Sequence, residues 1–261
     1  MSTPTVIVHR DQGLLAQAVA ARLVTRIVDA QAAQGHASVV LTGGGMGSAT
    51  LAAIASSPAR DALDWRRLAV WWGDERFLPR GDPERNETQA REALLDHVDL
   101  DPALVHPMSP TDGPDGNDPE AAAERYADDL RKAAEPGDHG NVPSFDVLLL
   151  GVGPDAHVAS LFPGMPALYE EERPVVAVHG SPKPPPTRLT LTLPAIQAAK
   201  EVWLVTAGRD KAAAVRLALS SGAGPVQVPA AGARGKLRTL VLVDRAAAAE
   251  LPPSLSRLAS P

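Results

Sequence analysis

Four short segments hold the residue types that could bind or turn over a small charged molecule. The first is Leu41-Thr42-Gly43-Gly44-Gly45-Met46-Gly47-Ser48. Successive glycines let backbone N–H groups converge, and a helix starting just after them adds its positive end, which suits a phosphate. No Gly-Lys-Ser/Thr follows, so this is not a Walker loop. The second is Gly73-Asp74-Glu75-Arg76, two carboxylates and a guanidinium behind an apolar run. The third is Gly151-Val152-Gly153-Pro154-Asp155-Ala156-His157. Its Gly-x-Gly-x-x-Ala pattern is a dinucleotide fingerprint. That fingerprint normally opens a domain, whereas this copy lies past mid-chain, and Asp155 would set a carboxylate against an anionic pyrophosphate. Asp155 reads instead as the N-cap of a short helix with His157 in its first turn, where the helix dipole disfavours an imidazolium. A neutral His at pH 7 is what a general base needs. The fourth comprises Arg188 and Lys211, one able to grip a phosphate bidentately, the other a point charge. Taken singly, each segment also has an ordinary reading: a tight turn, a solvated helix start, a structural His, two surface cations.

Other chemistries are missing from the chain. It has no cysteine, which excludes disulfides, thiolate metal sites and a Cys nucleophile. No Gly-x-Ser-x-Gly elbow or His-Glu-x-x-His pair is present. The remaining histidines, His9, His36, His97, His106, His139 and His179, have no ligand spacing and read as surface or loop residues.

These segments must be positioned by an alternation of strands and helices. Apolar runs at 5–9, 38–42, 68–72, 145–150, 175–178, 201–206 and 239–243 read as strands, and the unbroken run at 145–150 is that of a strand buried on both faces. Helices are expected at 11–34, from about 46, at 87–95, 120–134 and 209–219. Strands alternating with such helices give an α/β fold, a mostly parallel sheet flanked by helices, and ligands bind such sheets at the carboxyl ends of the strands. The Gly/Pro/Asp stretch at 109–119 reads as a loop within a single domain spanning 1–261, 181–186 as an extended surface loop, and the tail from 251 as disordered or packed along the surface.

The 261 residues suffice for a sizeable core without staples. A net charge of −6 argues against a nucleic-acid or membrane-surface partner. The first eight residues lack a basic region and a long apolar stretch, and no run reaches the ~20 apolar residues of a membrane helix, so a cytoplasmic location is expected.

Together the segments resemble the 6-phosphogluconolactonase family and, more distantly, the glucosamine-6-phosphate deaminases that share its fold. The resemblance runs from about Thr5 to Val243 and extends to Arg188-Leu189-Thr190-Leu191-Thr192. It implies a modified Rossmann-like fold and hydrolysis of 6-phospho-D-glucono-1,5-lactone in the oxidative pentose phosphate pathway, without metal or cofactor. It maps the catalytic His onto His157 with Asp155 beside it. Phosphate contacts fall on Gly43, Gly44, Gly45, Arg188 and Lys211, and Asp74 and Arg76 line the sugar side. The partner is a phosphorylated sugar lactone, and the assembly a monomer or small homo-oligomer. The sequence departs from the family at two places: Ala156 stands where Gly is common, and Arg85-Asn86 where Ser-Asn is frequent, so Asn86 is left outside the expected site. Two rivals remain. A deaminase would carry a Glu a few residues after the His, whereas no carboxylate follows His157 until Glu170. A non-catalytic sugar-phosphate sensor would carry a DNA-binding segment. With an acidic chain and a dianionic substrate, binding must rest on a few local cations and amides.

Overall fold

Residues along the strands alternate between two apolar faces, so each strand must be covered on both sides. Val39, Leu41, Val70, Trp72, Val147, Leu149, Trp203 and Val205 fill one core; Val40, Trp71, Leu148, Leu150, Val202 and Leu204 fill the other. The computed structural model describes residues 1–138, 142–220, 222 and 224–255. In chain order its elements are β1 (Pro4–His9), α1 (Gln12–Gln34), β2 (Ala37–Leu41), α2 (Gly44–Ala55), β3 (Leu68–Trp72), β4 (Asp74–Arg76), α3 (Asn86–Ala93) and β5 (Val105–His106). They continue with α4 (Pro119–Ala133), β6 (Val147–Leu150), β7 (Val175–Val178), β8 (Arg188–Leu191), α5 (Leu193–Gln197), β9 (Glu201–Thr206), α6 (Ala212–Ala218), α7 (Pro229–Gly232) and β10 (Arg238–Asp244).

Seven strands form a sheet in the order β1-β10-β9-β6-β2-β3-β5, every pair parallel. From β2 the chain steps outward through β3 to β5, then returns to β6 and steps the other way through β9 to β10. The direction therefore reverses between β2 and β6, and a crevice opens at their carboxyl ends. α1 shows how the layers are fixed. Asp11 caps it by accepting from the Leu14 amide at 2.8 Å, Gly35 ends it at φ 82°, and Leu15, Val19, Leu23 and Ile27 make its buried stripe. Together with α2 it covers one face of the sheet; α4 and α6 cover the other.

A second sheet, β4-β8-β7, is antiparallel and packs over the core on the α4 side. The sequence predicts β7 as one more strand but neither β8 nor a strand at 74–76, whose ordinary reading is a solvated helix start; β4 instead leaves β3 after one residue and pairs with β8. The edge of the large sheet shows a related economy. β5 pairs only with Val70 and Trp71. Peptide groups of a parallel strand face alternate neighbours, and Gly73 donates to Leu41 on the β2 side, so Trp72 faces outward beyond the end of β5. There the Tyr126 hydroxyl accepts from the Trp72 amide at 2.9 Å and donates to its carbonyl at 3.2 Å.

Three further expectations change. The helix expected at 209–219 is a 3-10 turn, Arg209–Lys211, followed by α6. His9 is buried and His106 stacks on Trp71 at 3.8 Å, so these two are not surface residues; His139, and the tail beyond 255, lie outside the described residues. No described helix is long and apolar enough to cross a membrane.

Candidate active site

The carboxyl ends of β9, β6, β2 and β3 open into one cavity of about 320 Å³. All the expected site residues except Asp155 line it: Gly43, Gly44, Gly45, Asp74, Arg76, His157, Arg188 and Lys211. Asn86 and Lys183 line it too.

The 43–45 turn follows β2 directly. α2 begins at Gly44, two residues earlier than expected, with Gly43 in the N-cap position and Gly44 at φ 78°. Only glycine fits at 43, because a Cβ there would overlap the Asn86 amide. The neighbouring strand end is tied in by the Gly151 amide, which donates to Thr42 Oγ1 at 3.1 Å.

His157 lies on a segment with no helix, so the expected N-cap role of Asp155 is overturned. Pro154 and Asp155 form a turn in which the Ala156 amide donates to the Gly153 carbonyl at 2.9 Å. The Gly153 amide then donates back to the His157 carbonyl at 2.9 Å. The glycine at 153 has a packing reason: a Cβ would overlap the His157 ring. Ala156 sits at φ 66° and Ala159 at φ 50°, both in the left-handed region that favours glycine. Ala156 is fully buried, and its carbonyl accepts from Ala230 at the start of α7 at 3.0 Å. Burial and backbone bonds thus hold the turn that glycine would adopt more easily.

The His157 side chain is 13% exposed, and its Nδ1 lies 2.5 Å from Asp155 Oδ1. Burial pushes the imidazole below its ordinary value, against the hydrogen bond and charge of Asp155. Burial acts on Asp155 in the opposite sense, but the His157 hydrogen bond and charge bring its carboxyl below the usual range. Neutrality of the ring therefore comes from desolvation, not from a helix dipole. With Nδ1–H donating to Asp155, the lone pair falls on Nε2.

Charged side chains come from the small sheet. Asp74 is buried; its Oδ2 accepts from Ser160 Oγ at 2.7 Å, and Arg188 Nη1 lies 4.0 Å away. Arg188 donates Nε to the Pro185 carbonyl at 3.2 Å and Nη2 to the carbonyls of Lys183 and Pro184 at 3.2 and 2.9 Å. Most of its donors thus hold the 183–185 loop, leaving Nη1 toward Asp74. The same grip explains why the segment expected to be a surface loop turns Lys183 into the cavity. Burial lowers the Lys183 ammonium from its ordinary value, opposed by the charge of Asp155 and reinforced by those of Lys211 and Arg188. Lys211, on the turn after β9, pairs with Asp210 at 3.0 Å. Arg76 donates Nη1 to the Glu84 carbonyl, while its Nε is buried without a hydrogen-bond partner.

Beneath the site lies a buried ionic cluster that sequence reasoning missed. Glu75 Oε1 accepts from the amides of Arg76 and Asn86 at 2.8 and 2.7 Å, and Oε2 from the Glu87 amide at 2.9 Å. Burial pushes Glu75 up to about 7, against the pull of Arg85 and these amides. Arg85, fully buried, lies 3.7 Å from Glu75 and 3.1 Å from Glu87. A carboxylate from β4 thereby caps α3, whose own N-cap residue, Arg85, makes no side-chain cap hydrogen bond.

A parallel α/β sheet with a glycine turn, a His–Asp pair and several cations at its carboxyl edge has the composition suited to a small anionic ligand. The chain belongs to the family described as glucosamine-6-phosphate isomerases/6-phosphogluconolactonase, whose model matches residues 10–242. It is 67% identical over 253 residues to a 6-phosphogluconolactonase of Streptomyces coelicolor, covering 97% of each chain. It is 51% identical over 248 residues to a 6-phosphogluconolactonase of Mycobacterium tuberculosis, covering 95% of this chain and 98% of that one. Among solved structures, the 6-phosphogluconolactonase of Trypanosoma brucei superposes with a TM-score of 0.83 at 30% identity, over 97% of this chain and all of the other. A monomeric glucosamine-6-phosphate deaminase shares the fold, with a TM-score of 0.76 at 22% identity over 94% of this chain and all of that one.

Proposed function

We propose that this protein hydrolyses 6-phospho-D-glucono-1,5-lactone to 6-phospho-D-gluconate, with His157 activating water. The observation that carries the mechanism is the His157–Asp155 pair facing a cavity lined by Arg76, Lys183, Arg188 and Lys211. The strong likeness to chains named 6-phosphogluconolactonase supports the substrate.

A lactone is already a reactive ester, so no covalent nucleophile is needed. His157 Nε2 takes a proton from water as the oxygen attacks C1. The tetrahedral intermediate collapses, the bond from C1 to the ring oxygen breaks, and the imidazolium protonates that oxygen as it becomes the C5 hydroxyl. The new carboxylic acid then ionises. Asp155 keeps Nδ1 protonated and stabilises the transient imidazolium. Such general base catalysis contributes about 10²–10⁴-fold. Amides of the 43–45 turn, with Lys211, Lys183 and Arg188 Nη1, hold the phosphate dianion, and this remote binding aims C1 at His157. Arg76, with its unspent Nε, is the donor for the charge that develops on the C1 oxygen.

The deaminase reading is disfavoured by Glu170, which accepts from the Glu172 and Arg173 amides and does not line the cavity. The test is a lactonase assay beside a glucosamine-6-phosphate deaminase assay. Loss of 6-phosphogluconolactone well above its spontaneous rate, with no ammonia release from glucosamine 6-phosphate, is expected. The reverse pattern would overturn the proposal.

A further inference from the structure

Asn86 presents a buried acceptor with nothing to accept. The residue is 3% exposed and lines the cavity. Its Nδ2 donates to the Asp74 carbonyl at 2.8 Å and to Asp74 Oδ1 at 3.3 Å, which fixes the orientation of the amide. Oδ1 is consequently turned away from Asp74 and lies buried against Gly43, in the space a Cβ would fill, and it has no hydrogen-bond partner. An isolated buried acceptor is costly unless something meets it. The surrounding construction keeps it in place. Glu75 holds the Asn86 backbone amide, Arg85 backs Glu75, and glycine at 43 leaves room for the side chain.

Building on the lactonase reading, we infer that Asn86 is a substrate-binding residue whose Oδ1 accepts a hydrogen bond from a ring hydroxyl of the sugar. The choice of group follows from chemistry. An amide oxygen can only accept. A phosphate dianion and a lactone carbonyl have no proton to offer, so the hydroxyls on C2, C3 and C4 are the donors such a substrate brings. Asn86 then reads the polyol, while the cations read the phosphate. A site built to meet a hydroxyl discriminates against analogues lacking it, because its polar group is left unpaired.

The test uses a ring analogue that cannot be hydrolysed, 1,5-anhydro-D-glucitol 6-phosphate, and its 2-, 3- and 4-deoxy forms, titrated calorimetrically into the full chain. In the wild type, one deoxy form is expected to bind about 10-fold more weakly than the parent, the scale of one lost hydrogen bond. In Asn86→Leu the parent weakens by a similar factor, that one deoxy form is no longer penalised, and the other two ratios are unchanged. If the substitution weakens all four ligands in parallel, the role of Asn86 is structural and the inference fails. If Asn86→Leu does not fold, Asn86→Ala takes its place. A wild type that penalises no deoxy form by more than about twofold overturns the inference with no variant at all. The same preparation is assayed for lactone hydrolysis: a protein that shows the hydroxyl-specific pattern without hydrolysis would overturn the lactonase reading and leave Asn86 as a hydroxyl reader.

Discussion

The two sheets contribute to the cavity in different currencies. The large parallel sheet delivers mainly backbone and turn geometry: the 43–45 turn after β2, the 151–157 segment after β6, the 207–211 turn after β9. The small antiparallel sheet delivers buried charge, with Asp74 and Arg76 on β4 facing Thr190 and Arg188 on β8. Turns at the ends of parallel strands present amides and a single His whose carboxylate partner, Asp155, lies on the same turn. The buried charge of Asp74 finds its partner diagonally across the antiparallel pair, where Arg188 Nη1 lies 4.0 Å from Asp74 Oδ2. Under the proposed function, a site that must grip a dianion and still keep its base neutral benefits from separating the two tasks.

That division can be broken from either side. The largest effect is expected at the parallel edge: His157→Ala should lower kcat by about 10²–10⁴-fold, with KM for the phosphorylated lactone within a few-fold of wild type. A stopped assay corrected for spontaneous hydrolysis measures this, and a variant within a few-fold of wild type removes His157 from the mechanism. Next come the cations. Lys211→Ala should raise KM for the phosphorylated lactone roughly 10- to 100-fold, the scale of a charge-assisted hydrogen bond, with little change for unphosphorylated gluconolactone and an unaltered melting temperature. Arg188→Ala should raise KM and also lower the melting temperature, since this guanidinium holds three loop carbonyls. Indistinguishable profiles for the two variants would erase the contrast drawn between the sheets.

The smallest effect is on pH dependence. In the proposed mechanism the active form is neutral His157, held below its ordinary value of 6.5. The rate kcat/KM should therefore be flat at neutral pH and fall as pH drops through a midpoint under 6.5. Asp155 raises that midpoint through its hydrogen bond and charge. Asp155→Asn removes the charge and weakens the hydrogen bond, so the acid limb should move to still lower pH while the plateau falls. An acid limb that stays in place would show that the titrating group is not His157.

Much of this was legible because it rests on local rules. Apolar runs and caps place the strands and long helices, and the carboxyl-edge rule gathers Gly43, Asp74, His157 and Lys211 before any coordinates. What escaped reading was non-local. The segment after Gly153 looked like a helix start because Asp155 caps well, yet the chain there bends through two left-handed alanines, the first tied to distant backbone at Ala230. At Ala156 that conformation costs about 1 kcal/mol, and the buried methyl offsets roughly 0.8 kcal/mol of it, so alanine can stand where glycine would be read. Lys183 was hidden because a proline-rich run reads as surface until Arg188 is seen gripping its carbonyls. Asn86 is left outside the expected site because Arg85-Asn86 stands where Ser-Asn is frequent in the family, and only the fold brings Glu75 to its backbone amide and Asp74 to its side chain.

Tyr126 carries one further consequence. Where β5 stops short, a phenol from α4 stands in for the missing strand and closes both hydrogen-bonding groups of Trp72. The outer rim of the sheet beside Asp74 is thereby sealed against another chain's strand, which would otherwise find an open donor and acceptor there. The exchange rate of the Trp72 amide with solvent deuterium is then set by the hold of α4 rather than by fraying of a two-residue strand, so this single amide reports how firmly the helix layer is seated beside the candidate active-site cavity.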